Sequence, residues 1–342
     1  MSGEPVTNSS IAANPVAQGG LIAKRPIGRT GVQVTLMGVG CGSLATGGNQ
    51  QETAAMLDAA WEAGLRYFDT APLYRDSERM LGEALAGRRR EDFVLSTKVG
   101  RFPGPAGERR FDFSREAIEG SLEHSLKRLG VGYVDLVALH DPTPAMLGDR
   151  YEDEKRLILE ASHDYLTCLK AQGVVGAIGV ALHDPDAAVQ WLDAAPFDYV
   201  MIAGSCTLIS HAALTELLPL CASRGIGVLA AAPLNSGLLA TGALAGARFN
   251  YQEASAPLLD KVARIESICG RFGVSLRAAA LQFPLFHPAV ASVVAGSRTP
   301  SEIGGNASAI IAPIPPELWR ALVDESLLLD NPCFQVSEES LA

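Results

Sequence analysis

The sequence predicts an α/β fold: a single (β/α)8 TIM barrel with an N-terminal β-hairpin. Three observations carry this expectation. Short apolar runs alternate with longer amphipathic segments, the pattern of parallel β-α units. Eight such runs occur. The chain has 342 residues, a length that suits a barrel of about 250 residues enlarged by insertions.

Taken in order, the first twenty residues are polar, small and weakly charged, and read as a flexible tail (1–20) ahead of one domain (21–342). They lack the basic start and apolar stretch of a signal peptide, so the expected location is cytoplasmic. "LIAKRPIGRTGVQVT" then places a Gly-containing turn between two short alternating runs, a hairpin. The strand candidates follow: "TLMGVG" from Thr35, "RYFD" from Arg66, "FVLSTK" from Phe93, "YVDLVALH" from Tyr133, "VGAIGV" from Val175, "YVMIA" from Tyr199, "GVLAA" from Gly227 and "VASVVAG" from Val290. Among the helices, "SREAIEGSLEHSLKRLG" opens on Ser114 as N-cap and stops at Gly130. "TELLPLCASRG" and "LLDKVARIESICGRFG" also end on Gly, "SLRAAALQFPLF" adds a helix, and a final helix begins near Thr299.

The competing fold is an open doubly wound sheet. "GCGSLA", Gly40 to Ala45, matches G-x-G-x-x-A after a strand, but "TGGNQ" follows where a helix should already run. A glycine-rich strand-to-loop turn is the better reading.

Composition bounds the function. Hydrophobic residues make up 48% and charged residues 19%, with a net charge of −10. That balance disfavours a large nucleic-acid surface, and no apolar run approaches the roughly 20 residues of a membrane span. The expected partner is a small molecule; the oligomeric state is open. Six scattered cysteines without a C-x-x-C pair read as buried thiols. The histidines show no metal-ligand spacing, so no metal is expected; His124 and His163 read as surface residues of helices, and His211 as a helix start.

Barrel enzymes carry their active sites at the C-terminal ends of the strands. Here the second strand ends on Asp69, the third on Lys98 and the fourth on His140, with Tyr74 on the loop after Asp69. Each alone could be structural: a capping Asp, a salt-bridged Lys, a rim Tyr, a satisfied core His. At successive strand ends about 4.8 Å apart they can converge on one point.

The words "FDTAPLY", "STKVG", "SLKRLGVGYVDLVALHDP", "GVVGAIGV", "NSGLL" and "AGSRTPSEIGGN" fall in order across Leu21 to Leu329. They resemble the aldo-keto reductases, and "ALHDP", "TLIS" and "AAALQFPLFHPAV" resemble the branch of D-threo-aldose 1-dehydrogenase, L-fucose and L-galactose dehydrogenases and pyridoxal 4-dehydrogenase. The resemblance implies NADP or NAD as cofactor and the tetrad Asp69, Tyr74, Lys98 and His140: Asp69 would hold Lys98 charged, Lys98 would favour the Tyr74 phenolate, Tyr74 would exchange a proton with the substrate oxygen and His140 would orient that oxygen. It implies cofactor contacts at Gly42 and His183, at Leu234, Asn235, Ser236 and Gly237, and at Ser297, Arg298, Thr299, Glu302 and Asn306. It places Asp141 and Cys206 against substrate, with Asp149 on a polar rim formed by "DPTPAMLGDRYEDEK". Arg298 would clamp a 2′-phosphate and Asn306 would face adenine, whereas the Glu302 carboxylate would repel a 2′-phosphate. Departures lie on the nicotinamide side. "GVALHD" offers His183 where an Asn is usual, "SCTL" puts Ser205 and Cys206 where the branch has R-Y-T-L, and Leu234 replaces an aromatic. "YRDSE" is a shortened loop. The leading expectation is oxidation of an aldose at C1 to the lactone. Pyridoxal 4-dehydrogenase, a general NADPH aldehyde reductase, and a cofactor-binding sensor or partner subunit with little turnover stay open.

Overall fold

A computed structural model describes residues 17–18, 21–44, 49–104, 108–250 and 252–329. Eight parallel strands close on themselves. They are β1 (Met37–Gly40), β2 (Tyr67–Asp69), β3 (Val94–Val99), β4 (Val134–His140), β5 (Val175–Leu182), β6 (Tyr199–Ala203), β7 (Gly227–Ala231) and β8 (Val290–Gly296). Each overlaps its sequence candidate. Strands buried on both faces read as continuous apolar runs, which is why they were legible. β8 returns to pair with β1, Val293 beside Met37.

Between the strands run α1 (Gln50–Glu62), α2 (Ser77–Leu85), α3 (Arg115–Leu129), α4 (Tyr151–Leu157), α5 (His163–Ala171), α6 (Pro185–Ala194), α7 (Leu217–Arg224), α8 (Ala256–Arg271) and α9 (Leu276–Gln282), and after β8 come α10 (Pro300–Ile310) and α11 (Pro316–Asp324). Ser114 caps α3 by accepting the Ala117 amide at 3.3 Å, and Gly130 ends it in the left-handed region. Apolar side chains of these helices and the outer faces of the strands form the main core.

Inside the barrel a second apolar cluster includes Ile27, Val34, Tyr67, Leu136, Tyr199 and Leu229. The expected hairpin, Lys24–Pro26 against Gln33–Thr35, supplies Ile27 and Val34 and seals the N-terminal end. It sits tightly there. Gly28 has φ +49, and a Cβ on it would stand 2.5 Å from the Gly225 carbonyl oxygen. The Tyr199 ring is admitted because Gly179 offers no Cβ; one would lie 2.5 Å from the ring.

Several expectations change. The chain does not stop its helices at α10: α11 follows, burying Leu318, Trp319 and Leu322, with Trp319 4.8 Å from the Phe286 ring. The polar stretch after His140 is largely helical, and its Glu154 accepts the Phe113 amide at 3.1 Å, so this segment packs on the barrel rather than forming an open rim. His163 is buried, bonded to the Pro196 carbonyl at 2.9 Å and edge-on to Phe197. His124 is exposed and His211 precedes a short 3-10 turn, as expected. Cys41, Cys206, Cys221 and Cys269 are buried, but Cys168 is exposed; Cys333 lies outside the described residues. So does most of the proposed tail, of which Ala17–Gln18 pair with Leu21–Ile22.

Candidate active site

Strand register sets the site. Tyr67 and Asp69 alternate along β2, and Ser96 and Lys98 along β3, so each pair points the same way. The ladder sets Asp69 beside Ser96, with Lys98 one pleat further out. Lys98 reaches back to both Asp69 oxygens, at 2.8 and 2.7 Å, and to the Thr70 carbonyl at 3.0 Å. Both partners are buried. Asp69 raises the Lys98 pKa against the lowering pull of burial, and the ammonium stays charged.

Tyr74 ends a short 3-10 turn, Pro72–Tyr74. Thr70, Ser77 and the Cys41 carbonyl pin this loop: Thr70 and Ser77 hydroxyls lie 2.9 Å apart and Ser77 donates to Cys41 at 2.7 Å. Arg75, at φ +54, turns the chain sharply into α2. The Lys98 nitrogen is 5.1 Å from the Tyr74 ring centroid, and the His140 ring meets Tyr74 edge-on at 5.9 Å. Burial raises the Tyr74 pKa above its usual 10, and Lys98, which pulls it down, does not fully offset this. The depressed phenol expected from sequence is therefore corrected: the protein by itself keeps Tyr74 protonated at neutral pH. His140 is held neutral, its pKa pushed well below 6.5 by burial and then by Lys98 and Arg101. Its Nδ1 is buried without a protein partner.

The four groups line one cavity of about 450 Å³ at the C-terminal ends of the strands. Polar groups occupy one side: the tetrad, Asp141 and the exposed His183. Small and apolar residues from the ends of β5 to β8, among them Ala181, Met201, Ala231 and Val294, form the other. Gly42, Ser43, Gly296 and Arg298 complete the edge.

The remaining sequence candidates divide. Asp141 lines the cavity but is buried in an ion pair with Arg101 of the hairpin Arg101–Pro103/Arg109–Phe111, and it takes φ +52. Asp149 is exposed and away from the cavity lining. Cys206, expected against substrate, is instead buried in the main core, its thiol pushed up to about 12 by burial, and is not among the residues that line the cavity. Leu234 packs on the same core. Asn235 donates weakly to the Gly204 carbonyl at 3.5 Å, while its buried Oδ1 has no protein partner. Asn235, Ser236 and Gly237 all have positive φ, forming a tight turn. Ser297 joins the first and last strand ends, its carbonyl accepting from Ser43 at 2.7 Å. Asn306 is buried and donates to the Ser297 hydroxyl at 3.1 Å, so it braces the turn instead of standing open to a base. Thr299 caps α10 by accepting the Glu302 amide at 3.1 Å, and Glu302 accepts the Arg298 amide at 2.7 Å. Arg298 itself is exposed.

Sequence reasoning missed Ser96, Glu78 and Arg101. Glu78 is fully buried between Thr97 and Arg128 and fixes α2 against β3. Ser96 was legible in principle, two residues from Lys98 on the same face. A second cavity, about 640 Å³, lies between α8, α9 and α10 with Arg277 beside Gly305. It contains none of the sequence-predicted site residues. Among the described residues no group of His, Cys, Asp and Glu could hold a metal ion, and no helix is long and apolar enough to cross a membrane.

Comparison with known proteins agrees with this geometry. Residues 36–325 match the aldo/keto reductase family. The chain is 36% identical to a D-threo-aldose 1-dehydrogenase of a Pseudomonas species, over 87% of this chain and 96% of that protein. It is 33% identical to a pyridoxal 4-dehydrogenase of Microbacterium luteolum, over 89% and 98%. The holo form of an aldo-keto reductase from Bacillus halodurans superposes with a TM-score of 0.72 at 27% identity, covering 92% of this chain and 98% of that one. The barrel, the four side chains meeting at its mouth and these matches together show that the chain belongs to the aldo/keto reductase family, oxidoreductases that use NAD(P).

Proposed function

We propose that the chain moves a hydride between NAD(P) and a small polar alcohol or carbonyl, with an aldose oxidised at C1 to its lactone as the leading substrate. The observation that carries the proposal is the buried Asp69–Lys98 pair at 2.7 Å facing Tyr74 and His140 in one cavity.

The residues fit the cofactor. The apolar wall suits a flat ring, the orphaned Asn235 Oδ1 offers an acceptor, and Gly42, His183 and Arg298 edge the cavity where it would be held. When bound, the nicotinamide supplies the hydride acceptor or donor. The protein's part is the proton. His140, neutral, hydrogen-bonds the substrate oxygen and places it against the Tyr74 hydroxyl. In reduction Tyr74 donates its proton to that oxygen. In oxidation it must first be a phenolate, which Lys98 stabilises. A positioned acid/base group of this kind contributes about 10²- to 10⁴-fold.

An aldose suits the polar half of the cavity, where Asp141 and His183 can pair with ring hydroxyls and only Tyr74 and the two histidines bring rings. A site that bonds hydroxyls rejects analogues without them, because its own polar groups would be left unpaired. The 36% identical relative acts, by name, on an aldose. Pyridoxal is the rival, named for the 33% identical relative. Steady-state rates with L-fucose, L-galactose, D-arabinose, pyridoxal and hexanal decide. We expect an aldose to lead in kcat/KM; a tenfold advantage for hexanal would remove the sugar assignment.

A further inference from the structure

Below the tetrad the hydrogen bonds continue into the barrel. The Ser96 hydroxyl lies 2.6 Å from Asp69 Oδ1, and the Tyr67 hydroxyl 3.1 Å from Ser96 Oγ. All three residues are buried. The direction of this chain is fixed by chemistry. An ionised carboxylate only accepts, so Ser96 must spend its single proton on Asp69. Tyr67 must then donate to Ser96, and burial, which holds its phenol well above 10, keeps that proton in place.

The consequence appears in the proton accounting at Lys98. An ammonium has three N–H donors. The geometry directs them to Asp69 Oδ1, Asp69 Oδ2 and the Thr70 carbonyl. Tyr74 is a further hydrogen-bond partner of the same ammonium, so four acceptors face three donors and one of them must be satisfied from elsewhere. Asp69 Oδ1 alone of the first three acceptors has another donor, Ser96.

We propose that Ser96, oriented by Tyr67, is a positioning residue: by satisfying Asp69 Oδ1 it releases one Lys98 N–H to turn toward Tyr74. Ser96 is not itself among the residues that line the cavity; it meets that lining through Asp69, so it acts through Asp69 and Lys98. The proposal rests on the tetrad reading of the preceding section.

Two measurements test it in the full-length protein. The first is kcat against pH for Ser96→Ala and Ser96→Thr with the best substrate of the panel. Ser96→Ala should lower kcat for oxidation near neutral pH about tenfold, the effect of losing one hydrogen bond to a charged group. The Tyr74 limb should move to higher pH, with cofactor dissociation constants changed less than twofold. Ser96→Thr keeps the hydroxyl and should restore the profile. Tyr67→Phe, which keeps the ring that fills the barrel, should act in the same direction but less. The second is the proton–nitrogen-15 spectrum of the side-chain ammonium groups without substrate, with the Lys98 signal assigned by its loss in Lys98→Arg. That signal should move in Ser96→Ala and return in Ser96→Thr. An unmoved pH limb, whatever the fall in kcat, or a Lys98 signal indifferent to Ser96, overturns the relay. Absence of turnover in the wild type would sink the oxidoreductase assignment, while the spectrum would still decide the relay.

Discussion

Ending an apolar strand on a carboxylate costs several kcal/mol unless the charge is matched and its lone pairs are occupied. Asp69 meets both conditions through Lys98 and Ser96. Tyr74 is the group this arrangement serves. It stands over Lys98 and against His140 with a phenol that burial keeps protonated. Tyr74→Phe should therefore lower turnover at least about 100-fold and leave cofactor affinity, read by fluorescence titration, within twofold. Wild-type turnover in that variant would transfer the acid/base role elsewhere. Because the Tyr74 pKa is raised above its usual 10, oxidation should quicken with pH beyond neutrality as phenolate becomes more available, while reduction should stay level until the pH passes that raised pKa. A pH-independent kcat in both directions would contradict the assignment.

At the scale of the element, the start of α10 does two jobs with one carboxylate. A helix N-terminus attracts anions through its free amides. Here Thr299 occupies one of those amides and Glu302 accepts the amide of Arg298 just before the helix, a local variant of the capping box. A carboxylate placed there disfavours a second anion, so we expect NAD to be preferred over NADP. Glu302→Gln keeps an acceptor for Arg298 while removing the charge. It should shift the ratio of NADP to NAD dissociation constants by about tenfold toward NADP; an unchanged ratio would exclude Glu302 as the discriminator. Legibility from sequence was uneven for reasons visible in such elements. The eight strands and the caps at Ser114 and Gly130 depend on local pattern, and local pattern is what a sequence displays. The tetrad was legible because strand ends in a barrel are forced together. The burial of Cys206 was not legible because a loop residue's direction depends on how its turn closes, here with positive φ at Gly204. The helix α11 was missed although its buried face, Leu318, Trp319 and Leu322, repeats at helical spacing.

For the molecule as a whole, three imidazoles are folded in the neutral state. His140 lies well below 6.5, and burial brings His211 and His287 to about 4. Groups with depressed pKa leave stability intact above the unfolded value near 6.5. They withdraw it as pH falls toward the folded values, since the unfolded chain then binds protons that the native one refuses. Tm should be level from pH 8 to 7 and decline between about 6.5 and 4. At pH 5 the loss should be about 1–2 kcal/mol per histidine. A level Tm down to pH 5 would show that these histidines are not neutral in the fold.

The hairpin under the barrel has one more effect. With Ile27, Val34, Tyr67 and Tyr199 filling the interior, the passage is blind: the mouth that admits a molecule is also its exit. Whatever enters must turn back at that floor, so a change at the mouth touches arrival and departure alike, while the plug that closes the passage stands at the opposite end from the chemistry.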